Sequence, residues 1–333
     1  MKLATYQDGS RDGQLVVVAR DLQTAHYATG IASRLQQVLD DWNFISPQLQ
    51  DLYEALNMGK ARHPFAFEPE RCMAPLPRAH QWLGAQACAS HVALVYPAPG
   101  KALPGGRRAV ALMAPDGASG FAGPRARIAG LDPAQDIDFE AGIAAITGDV
   151  PAGVAAEQGL EAVRLLMLVN SVHLRAVQAR ELERGFGFAQ SQPCRTFSPV
   201  AATPDELGEA WRDGRVHLGL QTSWNGRKVG LCDAGSGMQL HFGQLVAQAA
   251  KARALHAGCV IGSGALGNLA LEASGDRGDL PKGFASIAEK RAVEILQEGA
   301  ASTGFLQPGD VVRMEMKGRD GVSVFGAIEQ TLA

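Results

Sequence analysis

Residues 137 to 151 read IDFEAGIAAITGDVP. A strand points every second side chain to the same face, so Glu140 shares its face with position 142, and position 142 is glycine. Two carboxylates there would make half of a divalent-metal site, whereas one carboxylate and a bare glycine do not. The apolar run after Glu140 ends in a Gly-Asp-Val-Pro sequence, which predicts a strand and a turn.

Outward from this stretch the chain alternates strands and helices irregularly. Towards the amino terminus, KLATYQDGSRDGQLVVVAR predicts a hairpin. GIASRLQQVLDDW and ISPQLQDLYEALNMGK carry leucine and isoleucine at helical spacing, the second opened by Ser46 and Pro47 as cap and first turn. Residues 97 to 135 are rich in Gly, Ala, Pro and Arg and predict a lid, a binding loop or a surface excursion. Towards the carboxyl terminus, AAEQGLEAVRLLMLVNSV reads as a helix running into an apolar stretch. RVHLGLQTSWNGRKVGLCDA reads as strand, WNG turn and strand, and HFGQLVAQAAKARALHAGCVIGSG as a helix closing into a strand. ASIAEKRAVEILQEG is helical or mixed, and FLQPGDVVRMEMKGRDGVSVFGAIEQ predicts two strands around a GRDG turn. Several hairpins without a regular βαβ repeat predict a mixed, largely β, α+β fold. A small N-terminal α/β domain is expected over residues 1–75 and a larger domain over 76–333.

With 333 residues, 46% of them hydrophobic and 20% charged, and a net charge of -3, the chain is that of an ordinary globular protein with no nucleic-acid-binding surface. Its longest apolar runs, such as LVVVA and LLMLV, fall far short of the roughly 20 residues of a membrane span. MKLATYQDGS lacks the apolar core of a signal peptide, so a cytoplasmic location is expected. Cys72, Cys88, Cys194, Cys232 and Cys259 show no metal-type spacing, and a reduced compartment is the simpler reading.

GSGALG at 262–267 matches G-x-G-x-x-G literally, but no clear crossover helix follows, and a dinucleotide site is not expected. No GxSxG, HExxH or P-loop signature occurs.

Taken together, IDFEAGIAAITGDVP, RGFGFAQSQPCRTFSPVAATPDELG, VIGSGALGN, SIAEKR and the closing PGDVVRMEM and GVSVFGAIEQ segments resemble the fumarylacetoacetate hydrolase family over almost the whole chain. The N-terminal module resembles that of a bacterial branch. The resemblance implies a C-terminal mixed β-roll carrying the site and a homodimer. It also implies a keto or diketo substrate, acted on by carbon–carbon bond hydrolysis or by related hydration, isomerisation or decarboxylation.

The family holds Mg²⁺, Mn²⁺ or Ca²⁺ on four carboxylates beside a histidine–glutamate pair that activates water. By resemblance that pair falls on His91 and Glu289. The metal carboxylates fall on Glu140 and on Gly84, Gly142 and Ser171, three positions that carry no carboxylate. The family's lysine becomes Gln192, its threonine persists as Thr196, Arg175 and Gln178 match binding positions, and Ala265 stands for a further threonine.

A divalent ion polarises a carbonyl and stabilises developing charge, worth several kcal/mol, and that electrophilic half is depleted here. Mg²⁺ can live on one or two carboxylates with substrate oxygens filling the rest, so either no metal or a weak Mg²⁺ or Mn²⁺ on Glu140 is expected. Arg195 is a candidate for a substrate carboxylate or enolate, and His173 a lesser one as a replacement ligand. Three readings stay open: a rebuilt enzyme working through His91 and Glu289, a retired paralogue that binds a ligand or partner, and a scaffold recruited for condensation or cyclisation.

Overall fold

The structure, a computed structural model, describes residues 1–96, 111–116, 120–185, 188–267 and 283–333. Two sheets organise it. The larger is mixed and mostly antiparallel, and the smaller has four strands in the order Arg227–Asp233, Gly219–Trp224, Val311–Met316, Ile328–Thr331. The α+β expectation holds.

The N-terminal hairpin pairs Lys2–Tyr6 with Gln14–Val18, whose β-branched valines suit a pleated, buried surface. Its sheet does not stop at the module. Lys2–Tyr6 also pairs with Ala201–Ala202, and Ala202 in turn pairs with Leu166 of the 12-residue strand Val163–Leu174. Strand Ala141–Thr147 lies antiparallel to that long strand, with Gly142 opposite Val169. On its other side lies Cys259–Gly262, which runs parallel to Gln81–Gln86. The middle of this sheet is apolar on both faces, which is why Ala141–Thr147 reads as a continuous run and is buried throughout.

The WNG turn forms as read, with Asn225 and Gly226 both at positive φ (50° and 75°), the conformation that a two-residue hairpin loop requires. Two expectations are corrected. Pro47 lies inside helix Trp42–Asn57 rather than in its first turn, because the helix begins earlier, where the Phe44 and Ile45 amides bond to the Asp41 carbonyl. Part of the 97–135 stretch is sheet: Leu112–Asp116 pairs with Gln81–Gln86 as an edge strand, where Pro115 is tolerated. Residues 97–110 and 117–119 of that stretch, and the segment after Gly267 that bears on the dinucleotide reading, lie outside the described residues. Among those described, no helix is long and apolar enough to cross a membrane.

Candidate active site

The ends of the central strands meet two helices here. Gln81–Gln86 leads through Cys88 into helix Ala89–Val95, which carries His91. Helix Ile287–Glu298 begins at Ser286, whose hydroxyl caps the Glu289 amide at 3.1 Å, in the S-x-x-E pattern of a helix start. Asp138, just before the carboxylate strand, caps the same helix by accepting from the Ile287 and Ala288 amides at 2.7 and 3.0 Å. A carboxylate suits the positive end of a helix, and this contact fixes the strand against the helix that brings Glu289 in.

His91 is fully buried between two carboxylates. Its Nδ1 lies 2.8 Å from Glu289 Oε1 and its Nε2 lies 3.3 Å from Glu140 Oε1. Burial alone would lower the imidazole pKa, but Glu140 and then Glu289 outweigh it and push it up to about 10. With Glu289 bonded at Nδ1 and the Glu140 carboxylate close to Nε2, the raised pKa keeps His91 an imidazolium at neutral pH.

Glu140 is the hub of the site. Oε1 accepts from Gln86 Nε2 and from the Ala265 amide, both at 3.0 Å, and Oε2 faces His173 Nε2 at 2.5 Å and Arg175 Nη2 at 3.6 Å. Burial opposes its charge, yet the two imidazoles facing it hold its carboxyl well below the usual carboxylate range. The glycine-rich 262–267 stretch thus supplies a backbone donor to a carboxylate. His173 is the neutral partner: burial, aided by Arg175, lowers its pKa despite Glu140. A guanidinium only donates, so the 3.4 Å approach of Arg175 Nη1 assigns the His173 hydrogen to Nε2, facing Glu140. Arg175 itself is anchored by Asp138 at 2.8 Å and Gln178 at 2.9 Å.

The array opens onto a cavity of about 230 Å³ whose walls are Trp82, Leu112, Met113, Val169, Leu182 and Phe188, with Glu140, Ser171, His173, Gln192 and Gln86 as its polar part. Of the positions singled out in the sequence, Gly84, Glu140, Ser171 and Gln192 line it. His91, Glu289, Arg175 and Gln178 lie behind Glu140. Arg195 is 1% exposed rather than a surface arginine: its guanidinium sits 5.1 Å from the Trp82 ring centroid and donates to Gln192 Oε1 at 2.7 Å. Thr196 is buried beside it on the strand Cys194–Phe197. A separate hollow of about 290 Å³ among Lys2, Arg20, Glu206 and Arg319 has its charges already engaged, Arg20 with Glu206 at 3.0 Å and Lys2 with the Arg20 carbonyl at 2.7 Å.

The sequence reading undervalued His173 and did not single out Gln86, Tyr96 or Asp138. His173 had a signal in strand alternation, which sets it on the same face as Ser171. Asp138 and Tyr96 lie near Glu140 and His91 in the sequence, but their roles, and that of Gln86, rest on contacts with Ile287, Gln178 and Glu140 across 54 to 149 positions.

At Gly142 an added Cβ would lie 2.4 Å from the Gly264 carbonyl oxygen and 3.0 Å from Ser263 Oγ. The place where a second carboxylate would begin is taken by backbone. Among the described residues no group of three or more His, Cys, Asp and Glu is placed to hold a metal ion.

Residues 1–78 match the family model described as fumarylacetoacetase N-terminal domain 2, and residues 89–333 match that of the fumarylacetoacetate hydrolase C-terminal domain. The fold is similar to that of a fumarylacetoacetate hydrolase from Exiguobacterium antarcticum (18% identity, 100% of this chain and 99% of that one, TM-score 0.64). It is also similar to a maleylpyruvate hydrolase from Sphingobium sp. SYK-6 in complex with manganese(II) and pyruvate (15%, 100% and 99%, 0.62). A third likeness is to 5-carboxymethyl-2-hydroxymuconate delta-isomerase from Mycobacterium smegmatis (15%, 100% and 98%, 0.58). No match is found among curated proteins.

Proposed function

Because the chain belongs to the fumarylacetoacetate hydrolase family, we propose that it is an acid–base enzyme acting on a keto or diketo compound, with Glu289, His91 and Glu140 as one proton-handling array. The observation that carries this reading is that a buried, charged relay ends at the cavity in Glu140. The similar hydrolases and isomerase support the substrate class.

The residues do not fit the family's metal. Gly142 has no room for a side chain, Gly84 and Ser171 bring no carboxylate, and both Glu140 oxygens already face donors. Chelator-treated protein titrated with Mn²⁺ or Mg²⁺, alone and with an acylpyruvate, is therefore expected to show no saturable heat. Tight binding that vanishes in Glu140→Ala would show that the site rebuilds around the ion.

In this reading a carbon flanked by carbonyls loses its proton to Glu140 and the electron pair moves onto a carbonyl oxygen as an enolate. Return of the proton to another atom completes an isomerisation. The same enolate begins a condensation or cyclisation. Cleavage takes a different order: water adds to one carbonyl carbon of the neutral diketone, the carbon–carbon bond breaks to leave a carboxylic acid, and its electron pair departs as the enolate of the other carbonyl. His91 faces Glu140 rather than the cavity, so its charge steadies the carboxylate and limits its basicity, which suits the acidic C–H of a dicarbonyl.

The test is hydrogen–deuterium exchange of acetylpyruvate and a neutral 1,3-diketone in D₂O. Catalysed exchange is expected to fall by at least about a hundredfold in Glu140→Gln, the lower end for a lost general base. The engagement of both Glu140 oxygens favours a second reading, a retired paralogue. Saturable binding with exchange at the buffer rate in the wild type would select it.

A further inference from the structure

Tyr96, at the end of the His91 helix, lines the cavity. Its hydroxyl accepts from two side-chain amides, Gln86 Nε2 at 3.1 Å and Gln178 Nε2 at 3.4 Å. An amide's nitrogen and oxygen exchange places on a flip, so each orientation must be fixed by other neighbours. Both are fixed here by charged groups. Gln86 Nε2 also donates at 3.0 Å to Glu140, and a carboxylate held ionised only accepts. Gln178 Oε1 receives Arg175 Nη1 at 2.9 Å, and a guanidinium only donates.

A hydroxyl has two acceptor positions and one hydrogen. Both acceptor positions of Tyr96 are filled, and no described residue accepts its hydrogen. Among the described residues, Tyr96 is part of the cavity wall, where a bound ligand would meet that hydrogen. Burial, reinforced by Glu140, raises the phenol's pKa, so the hydrogen stays in place across the neutral range. The same Gln86 nitrogen holds Tyr96 and Glu140, so one small carbonyl compound can touch both.

We infer that Tyr96 is a catalytic residue whose hydroxyl donates to the carbonyl oxygen of the bound keto or diketo compound and holds the enolate oxygen while Glu140 takes the proton. This rests on the proton-transfer reading and supplies its missing electrophile with a neutral donor. The balance is closed: the C–H bond breaks, its electron pair becomes the new carbon–carbon π bond, the carbonyl π pair goes to the oxygen beneath the hydroxyl, and reprotonation reverses each change. No co-reactant is needed.

The experiment measures binding of 2,4-pentanedione through its ultraviolet enol band, and deuterium exchange of the same compound. With Tyr96→Phe, binding is expected to weaken about tenfold, the enol-band shift to disappear, and exchange to fall about a hundredfold, as when one oxyanion donor is removed. Equal affinity, spectrum and exchange in wild type and Tyr96→Phe would overturn the assignment, as would a wild type that does not bind the diketone. Should Tyr96→Phe fail to fold, 3-fluorotyrosine at position 96 keeps both acceptor bonds and strengthens the donor. Tighter binding then supports the role, and unchanged binding removes it. A Tyr96 effect on binding with no exchange in the wild type would keep the donor role towards the ligand and reject only the enzyme reading.

Discussion

Glu140→Ala is expected to cost about 3 kcal/mol of stability, the lower end for breaking a buried ion pair. The lower end applies because Arg175 keeps Asp138 and His91 keeps Glu289. The loss is read from denaturant unfolding and should depend on pH in both directions. Glu140 has a depressed pKa, so its contribution is complete above its ordinary value of 4.5 and fades as pH falls. His91 has a raised pKa, so its contribution is complete below its ordinary 6.5 and fades as pH rises towards about 10. The difference between wild type and variant should therefore peak between those ordinary values. A variant as stable as wild type would mean that the array contributes no net stability, and a loss that stays flat across pH would mean that Glu140 contributes through packing and not through its charge.

Gly142→Glu, which writes the family's second carboxylate back into the strand, is expected to unfold the protein rather than restore a metal site. Its Cβ alone collides with the Gly264 carbonyl at 2.4 Å, in a strand paired on both sides. Gly142→Ala isolates that collision and should cost about 1–3 kcal/mol, the usual range for overpacking. The longer side chain adds to the overlap and puts a second buried carboxylate two positions from Glu140, so the Glu variant should exceed this and accumulate as insoluble protein. If Gly142→Glu folds with a wild-type melting temperature and binds Mn²⁺, the Gly264 backbone is free to withdraw and the metal reading returns.

The fold was legible where local chemistry decides it. The N-terminal hairpin, the Asn225–Gly226 turn and the Ser286-capped helix each form from residues within one stretch. Pro47 misled because a proline that can open a helix can also sit in its second turn when upstream residues start it. At the site, ordered motifs were enough to single out Glu140, His91 and Glu289. Their surroundings depend on contacts that sequence spacing does not encode: Gln86 reaches Glu140 across 54 positions and the Ala265 amide across 125. Gly142 was visible as an absence, but the carbonyl that fills its place was not.

The bond between Lys2–Tyr6 and Ala201–Ala202 also has a consequence in time. During synthesis Lys2–Tyr6 and its hairpin partner Gln14–Val18 are made close together, but the other partner is not made until some two hundred residues later. Until then one edge of the hairpin carries unpaired amides and carbonyls, a template for pairing with other chains. Closing so long a loop is slow compared with forming the hairpin. The nascent chain therefore passes through a period in which this hairpin has an open edge, and its final assembly waits on the arrival of Ala201.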